Sequence, residues 1–342
     1  MKITIITAVF FIFLAAGLSA NTDFGVEELV QAGNVDLQVP GYSVPSYVDW
    51  NSDGLRDLVV GEGSGFATAR VRVYLNCGCD MIPQFSNFFY AQSNGSDLTA
   101  TGGGCLGLFP RVVQWDSDGL KDLLVGHAGG NIKIYLNTGS NTTPVFDGGT
   151  VLQSGQPGLK QNIDTGDRPT PSVADWNSDG KKDLVMGNRD SKVHIFINEG
   201  TDTEPDFRTE TAAKIGTADL VVPGSRSSPM VIDLNNDGKK DLVCGNTPGQ
   251  VLFYENTNTD SHAVFKEYVP LTSLEIPINL PGDQRSRPFL CNWNGDMFTD
   301  LLVGYGDGKV HLYRGVPEPF SACAAGILLL AVLARRRWHI HS

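Results

Sequence analysis

Between residues 22 and 316 the hydrophobic side chains come in short runs that end on Gly, Asn, Asp or Pro. A short apolar stretch such as "SYV" or "MVI" is followed by a polar loop. A second run comes next, written "DLVVG", "DLLVG", "DLVMG", "DLVCG" and "DLLVG". A third segment alternates as a strand does: "RVRVYLN", "NIKIYLN", "KVHIFIN", "QVLFYEN" and "KVHLYRG". A fourth, looser segment carries a phenylalanine. Apolar runs bounded by turn residues predict strands. No part of the repeat sustains the three-to-four spacing of an amphipathic helix.

The polar loops start at Asp49, Gln114, Asp175, Asp233 and Asn292, separated by 65, 61, 58 and 59 residues, so one unit is written five times. A proline stands four residues before each start: Pro45, Pro110, Pro171, Pro229 and Pro288. Four short strands in each unit of about 60 residues predict an all-β fold, a five-bladed β-propeller of four-stranded blades. The fifth unit stops after its third segment. The N-terminal stretch "DFGVEELVQAGNVDLQVPG" aligns without a gap on "DFRTETAAKIGTADLVVPG" of the third unit. The N-terminal strand is therefore expected to complete the last blade, which leaves no free sheet edge.

Each polar loop has the same chemistry. In "DWNSDGLRD" oxygen-bearing side chains fall at positions 1, 3, 5 and 9: Asp49, Asn51, Asp53 and Asp57. Position 7 offers a backbone carbonyl, that of Leu55, and Gly54 at position 6 permits the sharp turn. Hard oxygens converging on one point without His or Cys suit Ca²⁺. The second loop offers Gln114, Asp116, Asp118, the Leu120 carbonyl and Asp122. The third offers Asp175, Asn177, Asp179, the Lys181 carbonyl and Asp183. The fourth offers Asp233, Asn235, Asp237, the Lys239 carbonyl and Asp241. The fifth offers Asn292, Asn294, Asp296, the Phe298 carbonyl and Asp300, with Met297 in place of the glycine. Up to five Ca²⁺ ions are expected, and the fifth loop, with two carboxylates, should bind most weakly. Position 12 of the first loop is Val60, not the bidentate Glu of an EF-hand, and strand follows rather than helix.

Loop, "DLVVG" run and spacing together resemble the FG-GAP/VCBS repeat, a family similar to the calcium-binding blades of integrin α-subunit propellers. The resemblance covers nearly all of residues 21–316. It implies Ca²⁺ held in these loops, usually as a structural ion, and it implies no single ligand or activity.

The two ends read differently. Residues 1–20 resemble a secretory signal peptide, with Lys2 before an apolar core and small residues at the end. At the other end, residues 317–342 join Pro-Glu-Pro, a 15-residue apolar run and Arg335 to Arg337. That order predicts a C-terminal transmembrane helix with a basic cytoplasmic tail. It also resembles the PEP-CTERM sorting signal of Gram-negative bacteria that make exopolysaccharide. That resemblance implies processing by an exosortase-type sorting enzyme and a place at the cell envelope, the outer surface or the extracellular matrix. Three regions follow: 1–20, 21–316 and 317–342.

A net charge of −12 argues against nucleic-acid binding, since phosphate would be repelled. Fourteen of the acidic groups are in the expected metal loops. Of the six cysteines, Cys244 and Cys291 replace apolar strand residues and are expected to be buried thiols, and Cys323 lies in the C-terminal apolar run. Cys105 has Cys77 or Cys79 as a possible disulfide partner in an exported chain. His194 and His311, at equivalent places in two units, are expected to be strand packing. The function expected is an exported binding or structural module for adhesion, with a polysaccharide or a surface protein as partner. The alternative is a polysaccharide-degrading enzyme, a glycan lyase or hydrolase, which needs paired carboxylates near the axis. Glu62, Asp167 and Asp190 are the acids outside the loops considered for that role.

Overall fold

In a computed structural model of the chain, the residues described are 22–316, apart from 64–67, 101–106, 128, 281 and 283. The signal-like segment 1–20, the tail 317–342 and Cys105 lie outside them. Among the described residues there is no α-helix and one short 3₁₀ turn, Asp260–His262; none forms a helix long and apolar enough to cross a membrane.

Among the described residues the larger sheets lie in a propeller arrangement and share one antiparallel order of four strands, with short pairings, some of them parallel, at their edges. The first sheet takes Ser43–Val48, Asp57–Glu62, Ala69–Asn76 and Phe85–Tyr90. The second takes Leu108–Val113, Asp122–His127, Ile132–Tyr135 and Thr150–Val151. The third takes Thr170–Ala174, Asp183–Gly187, Val193–Asn198 and Phe207–Ala212. The fourth takes Ser228–Ile232, Asp241–Gly245, Val251–Tyr254 and Val269–Pro270. The fifth takes Arg287–Cys291, Asp300–Gly304 and Val310–Gly315, and its outer strand is the N-terminal Asp23–Leu29. The register of that outer strand repeats that of the third sheet. Phe24 faces Gly315 and Glu27 faces Tyr313, as Phe207 faces Asn198 and Glu210 faces Phe196, with the same bulge between them.

The first strand of each sheet is the inner one: these inner strands touch one another in cyclic order, and that of the fifth sheet meets that of the first. The core is divided accordingly. Five clusters of buried side chains each lie between successive sheets, and one joins Leu302, Val310 and Leu312 of the fifth to Tyr47, Leu58 and Val60 of the first. Alternate residues of a second strand enter different clusters: Leu58 and Val60 one, Val59 the next. These strands are buried on both faces, so they are written as continuous apolar runs rather than as alternation. Each fully buried aliphatic contributes about 1.5–3 kcal/mol. The tryptophan at loop position 2 spans the same joints. Trp50 meets Phe146, Trp115 meets Phe207, Trp176 meets Phe265 and Trp293 meets Phe85.

The glycine at or next to the end of each second strand has a packing cause. A Cβ on Gly61, Gly126, Gly187, Gly245 or Gly304 would lie 2.0–2.2 Å from a carbonyl oxygen of the neighbouring inner strand.

Candidate metal centres

The five loops join the first strand of a sheet to its second, so they share one end of the inner strands. The position-9 aspartates are almost wholly buried, at 0–1% exposure. Each uses both oxygens. Asp57 accepts from the Trp50 N–H at 2.8 Å and from the Asn76 N–H at 2.8 Å. Asp122 accepts from Trp115 and Asn137, Asp183 from Trp176 and Asn198, Asp241 from Leu234 and Asn256, and Asp300 from Trp293 and Gly315. This carboxylate ties the start of the loop to the third strand. Burial pushes all five carboxyls up despite these hydrogen bonds, and the neighbouring loop aspartates add to the effect; Asp241 reaches about 6.

The remaining loop residues curl in front of it. Position 4 is left-handed at Ser52, Ser117, Ser178, Asn236 and Gly295. Position 6 is left-handed at Gly54, Gly119, Gly180 and Gly238, with φ between 84° and 88°. In the third loop Asp175 accepts from the N–H groups of Asp179 and Gly180, both at 2.9 Å, and Asp179 accepts from the Lys181 N–H. Asn177 accepts from the Asp179 N–H at 3.1 Å. The fourth loop repeats this with Asp233, Asn235, Asp237 and Lys239. In the first loop, Gly54 donates to Asp49, Asp53 to Asn51 and Leu55 to Asp53. The fifth loop departs: the Asn292 amide donates to the Asp296 carbonyl and Met297 is 88% exposed.

Whether these residues fit a cation is tested best at the second loop. Oxygens of Asp116, Asp118 and Asp122 all lie within 4.8 Å of one another. Three points so placed share a centre no more than about 2.8 Å from each, close to the 2.3–2.6 Å of Ca²⁺–oxygen bonds. In the first loop Asp49 Oδ1 is buried without a hydrogen bond, with the Lys121 ammonium 3.5 Å away. The donor set is entirely oxygen. Gln114 contributes no carboxylate, and Asp116 supplies that charge from position 3.

A further set of residues was not visible in the sequence pattern. The position-8 side chain of one loop reaches the loop before it. Lys121 bonds the Asp49 carbonyl and, at 2.9 Å, Ser52 Oγ; Lys182 bonds Ser117 Oγ at 3.2 Å; Lys240 bonds Ser178 Oγ at 2.7 Å. Arg56 of the first loop bonds the Asn292 carbonyl of the last at 3.3 Å. The backbone N–H at position 8 is capped by Asp80, Asn141, Asp202 and Asp260 in the first four units.

The other residues singled out from the sequence are scattered. Glu62 pairs with Arg72 at 2.7 Å, Asp167 with Arg189 at 3.1 Å and Asp190 with His194 at 3.2 Å. His194 and His311 are buried in strands, but each is also held between two acids: His194 by Glu210 and Asp190, His311 by Glu27 and Asp307. Burial works against a charged His311, yet its hydrogen bonds to the Asp307 and Glu27 carboxylates outweigh it and raise its pKa. Cys244 is fully buried, Cys291 is half-buried, and Cys77 and Cys79 are exposed.

These observations define an all-β protein with a propeller arrangement of sheets and repeated oxygen-rich loops. A family model described as an FG-GAP-like repeat matches residues 175–244, the third loop through the second strand of the fourth sheet. No curated protein matches the chain. Among solved structures, the chain is similar to the Tc holotoxin pore of Photorhabdus luminescens, at 15% identity and TM-score 0.41, over 86% of this chain and 15% of that one. It is also similar to BBS1N in a complex with ARL6DN, at 12% identity and TM-score 0.36, over 86% of this chain and 97% of that one.

Proposed function

We propose that the protein is an exported, calcium-stabilised binding module: a closed ring of five blades that serves adhesion at a bacterial surface or in its matrix. Convergence of Asp116, Asp118 and Asp122 on one point is the observation that carries the calcium reading. Calcium would be held by position 1, 3 and 5 side chains, the position-7 carbonyl and the position-9 carboxylate. It would supply the positive charge that each group of two or three carboxylates lacks, and so stabilise the turn. Five inner strands in cyclic contact, a core cluster between fifth and first sheets, and the N-terminal outer strand support the five-blade closure.

A polysaccharide or a surface protein is the partner proposed. One cleft of 690 Å³ lies at the joint of the first and fifth sheets. Glu28, Gln31, Asn34, Gln84, Ser86 and Arg314 line it, hydrogen-bonding groups suited to a hydroxyl-rich ligand. The sorting signal would deliver the module through an exosortase and a membrane-bound stage. To test this, the protein is incubated with the exopolysaccharide of its source cells, with calcium or with EDTA, and both retention and chain length are measured. Retention that EDTA abolishes, with chain length unchanged, is expected. Shortened chains would overturn the reading in favour of an enzyme.

A further inference from the structure

The opposite end of the inner strands carries opposite charge. Arg168, Arg226 and Arg285 occupy the same repeat position, three residues before the prolines at 171, 229 and 288. All three are left-handed, with φ of 67°, 60° and 58°. A left-handed conformation is uncommon for a non-glycine residue, and its strain is characteristic of functional sites. Each stands at the start of an inner strand, whereas the acidic loop follows the end of that strand, about 17 Å away for five residues of extended chain. Arg287 begins the fifth inner strand and is buried to 5% exposure. Its guanidinium donates to the Arg285 carbonyl at 2.7 Å.

These groups surround one cavity. Its lining comes from four sheets, with Phe109, Arg226, Ser228, Asn246, Arg285 and Arg287 among the contributors, so it lies where the inner strands converge. Among the described residues, no ion pair to an acid involves Arg226, Arg285 or Arg287. Arg226 Nη1 and Arg285 Nε are buried without a hydrogen-bond partner. Tyr42 packs against two of these arginines: its ring lies 4.5 Å from the Arg285 guanidinium and 4.8 Å from that of Arg287, and its hydroxyl bonds Arg285. Burial, then repulsion from the neighbouring arginines, lowers Arg287 to about 9 and Arg226 to about 10. In a chain of net charge −12, Arg226, Arg285 and Arg287 thus stand close together, with no acid paired to them among the described residues. An anion would satisfy the orphaned donors and relieve the repulsion.

We infer that this axial mouth is an anion-binding site, built to take a single carboxylate group presented by a ligand entering along the axis. The cavity is about 20 Å³, the space of about one water, so only the oxygen-bearing tip of a ligand enters it while the rest stays outside. The site stands apart from the acidic loops and does not depend on their binding calcium.

The test uses the purified full-length protein and ¹³C-acetate in low-salt HEPES buffer. Line broadening of the acetate signal is followed against protein concentration. Wild type should give a saturable isotherm. The double variant Arg226→Gln/Arg285→Gln should bind about tenfold or more weakly, as loss of charge-assisted hydrogen bonds implies. Arg208→Gln, a partly exposed arginine paired with Asp206 and Glu199 on an outer strand, should bind as wild type does. A second measurement needs no variant: acetate should protect Arg226 and Arg285 of the wild type from phenylglyoxal, mapped by mass spectrometry. No saturable binding, equal binding in the double variant, no protection, or saturation by inorganic phosphate in preference to acetate would each overturn the assignment.

Discussion

Replacing Gly304 with alanine loads the joint between the last sheet and the first. Gly304 ends the second strand of the fifth sheet, and a Cβ there would lie 2.2 Å from the Ser43 carbonyl oxygen, 2.7 Å from the Ser43 carbonyl carbon and 2.7 Å from Pro45 Cδ. The obstruction is backbone and a proline ring, so no rotamer change relieves it. About 1 Å of separation is needed to reach ordinary contact, and overpacking of this kind costs about 1–3 kcal/mol. A rigid obstacle places the cost at the upper end, about 3 kcal/mol. With about 2–4 °C per kcal/mol, the melting temperature should fall by about 6–12 °C. Gly129→Ala is the control: its Cβ meets nothing within 4 Å and its φ is not left-handed, so its melting temperature should hold or rise slightly. Differential scanning calorimetry in saturating calcium gives both numbers. A Gly304→Ala protein that melts within about 1 °C of wild type would refute the reasoning, because the first and fifth sheets would not then be in contact.

Three further outcomes are expected. Adding calcium to EDTA-treated protein should raise the melting temperature, by the equivalent of about 2.7 kcal/mol for each site at a hundredfold excess over its Kd; Asp118→Ala should reduce that response and Asp296→Ala should leave it nearly intact, as calorimetry will show. Asp183→Asn should destabilise by about 2–3 kcal/mol in urea titrations, because an amide cannot accept from both the Trp176 and Asn198 N–H groups; Asp179→Asn, on the exposed side of the loop, should cost less. His127 is half-buried beside Tyr135 and Lys133, and desolvation lowers its pKa to about 4. The unfolded chain takes up a proton near pH 6.5 and the folded one does not, so stability is full above that pH and falls as pH drops toward 4. Between pH 7 and 5 the loss is about 2 kcal/mol, and His127→Gln should flatten that part of the urea-midpoint profile.

The sequence by itself determined the unit, its length and its strands, because a strand and a turn are written in neighbouring residues. It also carried the candidate ligand sets of the loops and the register of the N-terminal strand, since Phe24 and Glu27 align on Phe207 and Glu210 and pair as they do. The two histidines show the limit. Repeat position indicated burial in a strand, but the acids around His311 are Asp307, four residues before it, and Glu27, at the far end of the chain. Only the tertiary structure decided what lies between sheets. The glycine near the end of each second strand is required by a carbonyl 40–47 residues away, or, for Gly304, at the other end of the chain. The position-8 cations read as ordinary loop charges until Lys121, Lys182 and Lys240 are seen against the preceding loop. The arginines at 168, 226 and 285 stand in separate units along the chain, and only the convergence of the inner strands brings their charges to one mouth. A repeat records what each unit needs from its own residues. What it needs from its neighbours is a property of the ring, where residues distant in sequence share a dielectric, a hydrogen bond or a van der Waals surface.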